Sequence, residues 1–246
     1  MIISADFSSP NFEDRRNKKK PYILLLHYTG MKSADLAMTR LCEPASKVSS
    51  HYVIGEGGKI FQLVDESKRA FHAGISYWRG EEDINSVSIG IEIVNPGHEF
   101  GYREFPQSQM DAVADLCADI IKRHKIKPEF VLGHSDVAVK RKIDPGELFD
   151  WPFLAGKGIG LYPSAQHGAQ NRMVADVQKM LAAFGYKIEI TGKNDEQTQD
   201  VVTAFQRHYA PKQLGSGLNP ITVGALVDIC GQCKINSSPF GGGANA

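Results

Sequence analysis

The sequence predicts an α/β domain, a mixed central β-sheet flanked by helices, followed by a small all-α module of three helices. Two patterns predict it. Up to about residue 163, β-rich runs alternate with helical apolar spacing, the arrangement of a sheet covered by helices. From Ser164 onward the apolar spacing is helical. The expected organisation is a polar lead-in over residues 1–20, the sheet domain over 21–163, the helical module over 164–236 and a glycine-rich disordered tail over 237–246.

Tyr22 to Leu26 is a continuous apolar run behind Pro21 that ends at His27, which suits an inner strand buried on both faces. Helical character follows around Ala34 to Leu41. His51–Ile54 and Lys59–Val64 read as two strands of a hairpin, because Gly55, Gly57 and Gly58 separate them. Val87 to Val94 is a further β-rich run, closed by Asn95-Pro96-Gly97. Pro106 opens an amphipathic helix whose apolar members Met110, Val113, Ala114, Cys117, Ile120 and Ile121 recur at helical spacing. Phe130-Val131-Leu132-Gly133 is a short strand that ends at His134. In the module, Val174, Val177, Met180, Leu181 and Phe184 mark one helix, with Gly185 where a C-cap falls. A second helix runs from about Glu196 to His208 and a third from about Thr222 to Ile229.

Composition narrows the function. The formal net charge of zero, from 28 basic and 28 acidic side chains, leaves no electrostatic footprint for nucleic acid. The basic cluster Arg15, Arg16, Lys18, Lys19 and Lys20 reads as a solvated arm. No apolar run reaches the length of a transmembrane segment. Met1 to Asp6 has neither the basic n-region nor the apolar stretch of a secretory signal. Cys42, Cys117, Cys230 and Cys233 are too sparse for a disulfide scaffold. Cys230-Gly231-Gln232-Cys233 has the spacing of a redox pair or half a zinc site, but no second such pair accompanies it, so these thiols read as inert.

Three side chains could hold a metal ion. His27 and His134 each end a predicted strand, and if those strands are parallel neighbours their ends share one rim of the sheet, where α/β sheets place ligands. Asp144 follows in Lys142-Ile143-Asp144-Pro145-Gly146, a turn that can aim its carboxylate back at that rim. Two imidazoles and a carboxylate suit Zn²⁺ and leave a fourth position for water, the catalytic rather than the structural arrangement. Taken singly, a histidine at a strand end is more often packed than a ligand, and no short motif such as H-E-x-x-H links the three. Metal-assisted hydrolysis also needs a base and a cationic or hydrogen-bonding partner for an oxyanion. Glu92, inside Ile89-Gly90-Ile91-Glu92-Ile93-Val94, either faces solvent by strand alternation or is retained for a task, since an acid in so apolar a run is costly to bury. Lys142 is either a solvated loop lysine or the cation beside a tetrahedral intermediate.

These residues sit in segments that resemble the type 2 N-acetylmuramoyl-L-alanine amidases, which share a fold with T7-type lysozyme and the peptidoglycan recognition proteins. The matching segments are "LLLHYTG" around His27, "SSHYVIGEGGKIFQLV" around His51, "AFHAGISYWRG" around His72, "NSVSIGIEIVN" around Glu92, "VLGHSDVA" around His134 and "RKIDPGELFDW" around Asp144. They come in the family order and cover roughly residues 8–163, and the opening "SSPNFEDRR" is similar to the lead-in of longer, envelope-associated members. The resemblance implies one zinc ion per chain held by His27, His134 and Asp144, Glu92 as catalytic acid/base and Lys142 as the cation that stabilises the intermediate. It also places His72 in the substrate groove and gives His51 a structural part in orienting the hairpin. His98, His124, His167 and His208 match no functional position and read as surface or packing residues. "VQKMLAAFGYKIEITGKNDEQTQDVVTAFQRHY" resembles the helical peptidoglycan-binding domain through Phe184-Gly185-Tyr186, Thr198, Val202, Phe205 and Gln206.

The expected activity is therefore hydrolysis of the amide between the lactyl group of N-acetylmuramic acid and L-alanine, with peptidoglycan or a muropeptide as partner and the chain a monomer. The alternative is a non-catalytic peptidoglycan-recognition protein; such proteins lose a zinc ligand, whereas all three ligands, Glu92 and Lys142 are present here. The compartment stays open, because the missing signal points to the cytoplasm and the wall-binding module to the envelope.

Overall fold

The computed structural model describes residues 1–164 and 168–235; the expected tail over 237–246 and His167 lie outside the described residues. The strands are β1 (Ile3–Ser4), β2 (Phe12–Asp14), β3 (Ile23–Tyr28), β4 (Tyr52–Ile54), β5 (Ile60–Gln62), β6 (Lys68–Ala70), β7 (Ser88–Ile93) and β8 (Val131–Gly133). The helices are α1 (Ala34–Cys42), α2 (Ile84–Val87), α3 (Gly97–Phe100), α4 (Gln107–His124), α5 (His134–Val137), α6 (Trp151–Gly156), α7 (Val174–Phe184), α8 (Glu196–Tyr209) and α9 (Pro220–Gln232). Among the described residues, six strands form a mixed sheet in the order β1-β5-β4-β7-β3-β8. Its centre is parallel, β7 and β8 flanking β3, while β4 and β5 form the antiparallel hairpin that the glycines predict.

Strand alternation sorts the side chains onto two faces. On one, Leu24, Leu26, Ile89, Ile91, Ile93 and Val131 pack under Met110, Val113, Ala114, Cys117 and Ile120 of α4. Each Leu, Ile, Val or Met among them contributes roughly 1.5–3 kcal/mol by leaving water. On the other face, Val53 and Val94 pack with Met38 and Leu41 of α1, and Ile23, Leu25 and Leu132 join a cluster with Val177, Leu181, Phe184, Phe205 and Leu226 of the C-terminal helices. The apolar faces of the module therefore close partly on the sheet itself. Trp78 seals that seam, its ring edge-on to Phe184 and Tyr186.

The lead-in is less solvated than its composition predicts. β1 pairs with β5 and β2 with β6. Arg15 is buried, its guanidinium donating to the carbonyls of Glu66, Asn85, Ser86 and Ser88, so it is a structural tie rather than part of a solvated arm. Burial pulls its pKa down to about 10. Cys230 is buried and Cys233 half-buried, both free thiols, and burial pushes Cys230 up to about 12 and Cys233 up to about 11. Neither is a ready thiolate.

Candidate active site

The sheet register explains how distant residues meet. His27 and Glu92 are paired positions on adjacent parallel strands, and both follow the parity of the face that carries Leu25 and Gly90. Leu25 pairs with Leu132 on the other side, so two residues further on His134 falls beside His27. α1 and the C-terminal helices cover this face on either side, and the strand ends between them open into a cleft of about 360 Å³. His27, His72, Glu92, His134, Lys142 and Asp144 all line it.

His27 Nδ1, His134 Nδ1 and Asp144 Oδ2 converge: the two nitrogens are 2.9 Å apart and each lies 3.0 Å from the carboxylate oxygen. All three residues are buried. The outer imidazole nitrogens have other partners. His134 Nε2 donates to the Ala73 carbonyl at 2.9 Å. Ser88 Oγ donates to the Ile84 carbonyl, so it accepts from His72 Nε2 at 3.2 Å, and His72 Nδ1 in turn accepts from His27 Nε2 at 3.0 Å. Both Nδ1 atoms are thereby left as acceptors facing a carboxylate, an arrangement that a shared cation relieves. The donor set of two imidazoles and one carboxylate, with the outer nitrogens oriented by hydrogen bonds, fits a metal ion. Burial and the neighbouring His134 push His27 down to about 4, which keeps its imidazole neutral at pH 7. Burial alone would raise Asp144, but His134 and His27 outweigh it and hold the carboxyl well below the usual range.

Asp144 is aimed from its loop by local ties. The Ser135 N–H donates to the Asp144 carbonyl, and the Tyr102 hydroxyl donates to the Pro145 carbonyl. Gly146 has φ +90°, and a Cβ there would stand 2.2 Å from the Tyr102 hydroxyl, so glycine alone fits. Glu92 faces the cleft, and its Oε2 is shielded from solvent without a hydrogen-bond partner among the described residues. Burial, followed by the charge of Asp144, raises its pKa well above the ordinary carboxyl value, and the ammonium of Lys142 partly opposes this. Strand alternation thus turns Glu92 away from Ile91 and Ile93, as one sequence reading has it, but towards a cleft rather than open solvent.

His72 borders the cleft, yet both its ring nitrogens are engaged within the protein. It lies over β7 so closely that a Cβ on Gly90 would stand 2.5 Å from its ring. His51 accepts from the Gly90 N–H and donates to the Lys68 carbonyl, bracing the hairpin against β7. His98, a surface or packing residue by its sequence, lines the cleft wall, stacks on Tyr102 and meets Tyr28 and Glu147. Its place after the turn that closes β7 was the available signal. His124 pairs with Glu66 away from the cleft, and His208 is buried against Asp136.

This arrangement of donors beside a buried acid is one that metal-assisted hydrolysis can use. The family model for N-acetylmuramoyl-L-alanine amidase matches residues 17–147, and a model for a putative peptidoglycan binding domain matches residues 170–213. The N-acetylmuramoyl-L-alanine amidase AmiD of Escherichia coli is 38% identical over 224 residues, 81% of this chain and 80% of that protein. Its structure in complex with the substrate anhydro-N-acetylmuramic acid-L-Ala-D-gamma-Glu-L-Lys superposes with a TM-score of 0.78, covering 95% of this chain and 94% of that one at 31% identity. AMPDH3 of Pseudomonas aeruginosa, in complex with an anhydromuramic pentapeptide, gives a TM-score of 0.79 at 30% identity over 89% of this chain and 94% of that one. The 1,6-anhydro-N-acetylmuramyl-L-alanine amidase AmpD of Haemophilus influenzae is 32% identical over 58% of this chain and 85% of its own length. The chain belongs to the N-acetylmuramoyl-L-alanine amidase family.

Proposed function

We propose that this chain is a zinc-dependent hydrolase that cuts the amide between the lactyl group of N-acetylmuramic acid and the L-alanine of the stem peptide, in peptidoglycan or in muropeptides. The convergence of His27 Nδ1, His134 Nδ1 and Asp144 Oδ2 at the base of a cleft that also holds Glu92 carries this reading. These three residues would hold one zinc ion in each monomeric chain. When bound, zinc supplies a Lewis acid that polarises a carbonyl and lowers the pKa of water towards neutrality. Glu92 takes the proton of the attacking water. The Lys142 ammonium stabilises the negative charge that develops on the carbonyl oxygen. Glu92 then returns the proton to the departing L-alanine nitrogen. His72 holds the His27 ring in the tautomer that leaves Nδ1 free while it borders the substrate cleft.

The helical module binds the wall polymer and raises the local concentration of the cleft there. No helix among the described residues is long and apolar enough to cross a membrane. Incubation of the zinc-loaded full chain with a soluble anhydro-muropeptide, followed by mass spectrometry, tests the activity. The expected products are the intact sugar acid and a peptide with a free L-alanine amino group. A muropeptide that is retained by the protein but stays whole would make the chain a recognition protein instead.

A further inference from the structure

The C-terminal helices meet the sheet domain at a buried carboxylate beside the metal-ligand cluster. Asp136 is 1% exposed and accepts three hydrogen bonds. The Gly133 N–H donates to it at 2.8 Å and closes the turn from β8 into α5. The other two donors come from the module: the Tyr186 hydroxyl at 2.8 Å, just after α7, and His208 Nδ1 at 2.7 Å, on α8. Tyr186 and His208 are themselves 2% and 1% exposed. The His208 ring is held between Trp151 and Tyr209, with centroids 3.6 and 3.7 Å away.

α5 is a single turn of four residues and cannot hold its own geometry. It nevertheless begins with His134, and its Ser135 N–H grips the Asp144 carbonyl at 3.0 Å. Two of the three clustered donors therefore depend on where this turn sits. We propose that Tyr186 and His208 are positioning residues of the metal site, acting through Asp136, so that the helical module completes the catalytic centre as well as engaging the wall. The inference rests on the zinc reading above. The chemistry agrees with the geometry: a buried carboxylate held by three donors from three separate segments has one low-energy placement, and the backbone that bears it is fixed with it.

The test uses the full chain and reads Zn²⁺ affinity by chelator competition, with far-UV circular dichroism and melting temperature alongside. Tyr186→Phe and His208→Ala should keep the fold and weaken Zn²⁺ binding about tenfold, the lower end of what lost outer-shell support costs. Excess zinc should restore most of the turnover of soluble muropeptide. His208→Asn, whose amide can donate from nearly the place of Nδ1, should recover much of the affinity. Lys187→Ala, which removes an exposed contact with Glu82 across the same seam, should bind zinc as the native chain does. Native zinc affinity in Tyr186→Phe and His208→Ala, with only the melting temperature lowered, would overturn the proposal. Should His208→Ala not fold, Tyr186→Phe removes a single oxygen and decides the matter. Failure of the native chain to bind zinc would strike the metal-site reading rather than the role of the module.

Discussion

Glu92 and Asp136 are both acids placed beside the same sheet face, and their surroundings are opposite. Asp136 has three donors around it, two of them from the C-terminal module far along the chain. Glu92 has a shielded oxygen with no partner among the described residues and faces a cleft. Burial raises the pKa of Glu92 well above the ordinary value. A carboxylate held by three donors fixes backbone. One left short of donors keeps a proton-accepting site whose desolvation the rest of the fold must offset, and that is the property a general base requires.

The comparison can be sharpened by substitution. Removing a clustered donor should have the largest effect: His27→Ala, His134→Ala and Asp144→Ala should each lose bound zinc by mass spectrometry and activity to below detection, because two protein ligands hold the ion weakly. Glu92→Gln comes next. Turnover should fall about a hundredfold or more with zinc retained, and the melting temperature should stay level or rise, since a poorly solvated acid is removed. Near-native turnover would make Glu92 a bystander. Asp136→Ala should behave the other way, with a loss of stability of about 1–3 kcal/mol for each buried donor it strands, read by denaturant titration. If Asp136→Ala melts like the native chain while Glu92→Gln unfolds it, the contrast between the two acids is wrong.

The smallest effect concerns a third carboxylate, Glu66. Burial raises it, but hydrogen bonds from Arg123, His124 and Tyr52 outweigh this and hold it at about 2. Its folded pKa lies below the ordinary carboxyl value of 4.5, so its contribution to stability is present above that value and is lost as pH falls towards 2. Glu66→Gln should flatten the decline of melting temperature across that window and leave neutral-pH activity unchanged.

Much of the site was legible because strand parity is a local property. Ile23, Leu25 and His27 alternate with Leu24 and Leu26, and Leu132 and His134 follow the same rule, so two parallel neighbours were enough to bring the imidazoles together. The turn residues Pro145 and Gly146 likewise announced a loop able to return Asp144 to that rim. The rest was not legible, because it depends on which surfaces meet. Nothing within "SSPNFEDRR" shows that Arg15 will find four carbonyls, and nothing near His208 shows that Asp136 lies opposite. His72 reads as a groove residue by its motif, and only the packing of its ring over Gly90 reveals that both nitrogens are already taken. The sequence by itself determined the main strands and helices from Ile23 onward, the parity that His27 and His134 share and the donor chemistry offered at those positions, since these follow from backbone period and side-chain chemistry over a few residues. The tertiary structure alone decided which acid is tied by donors and which is left short of them, because that depends on donors brought from the C-terminal module some 50 to 70 residues away in the chain, and no local pattern encodes their arrival.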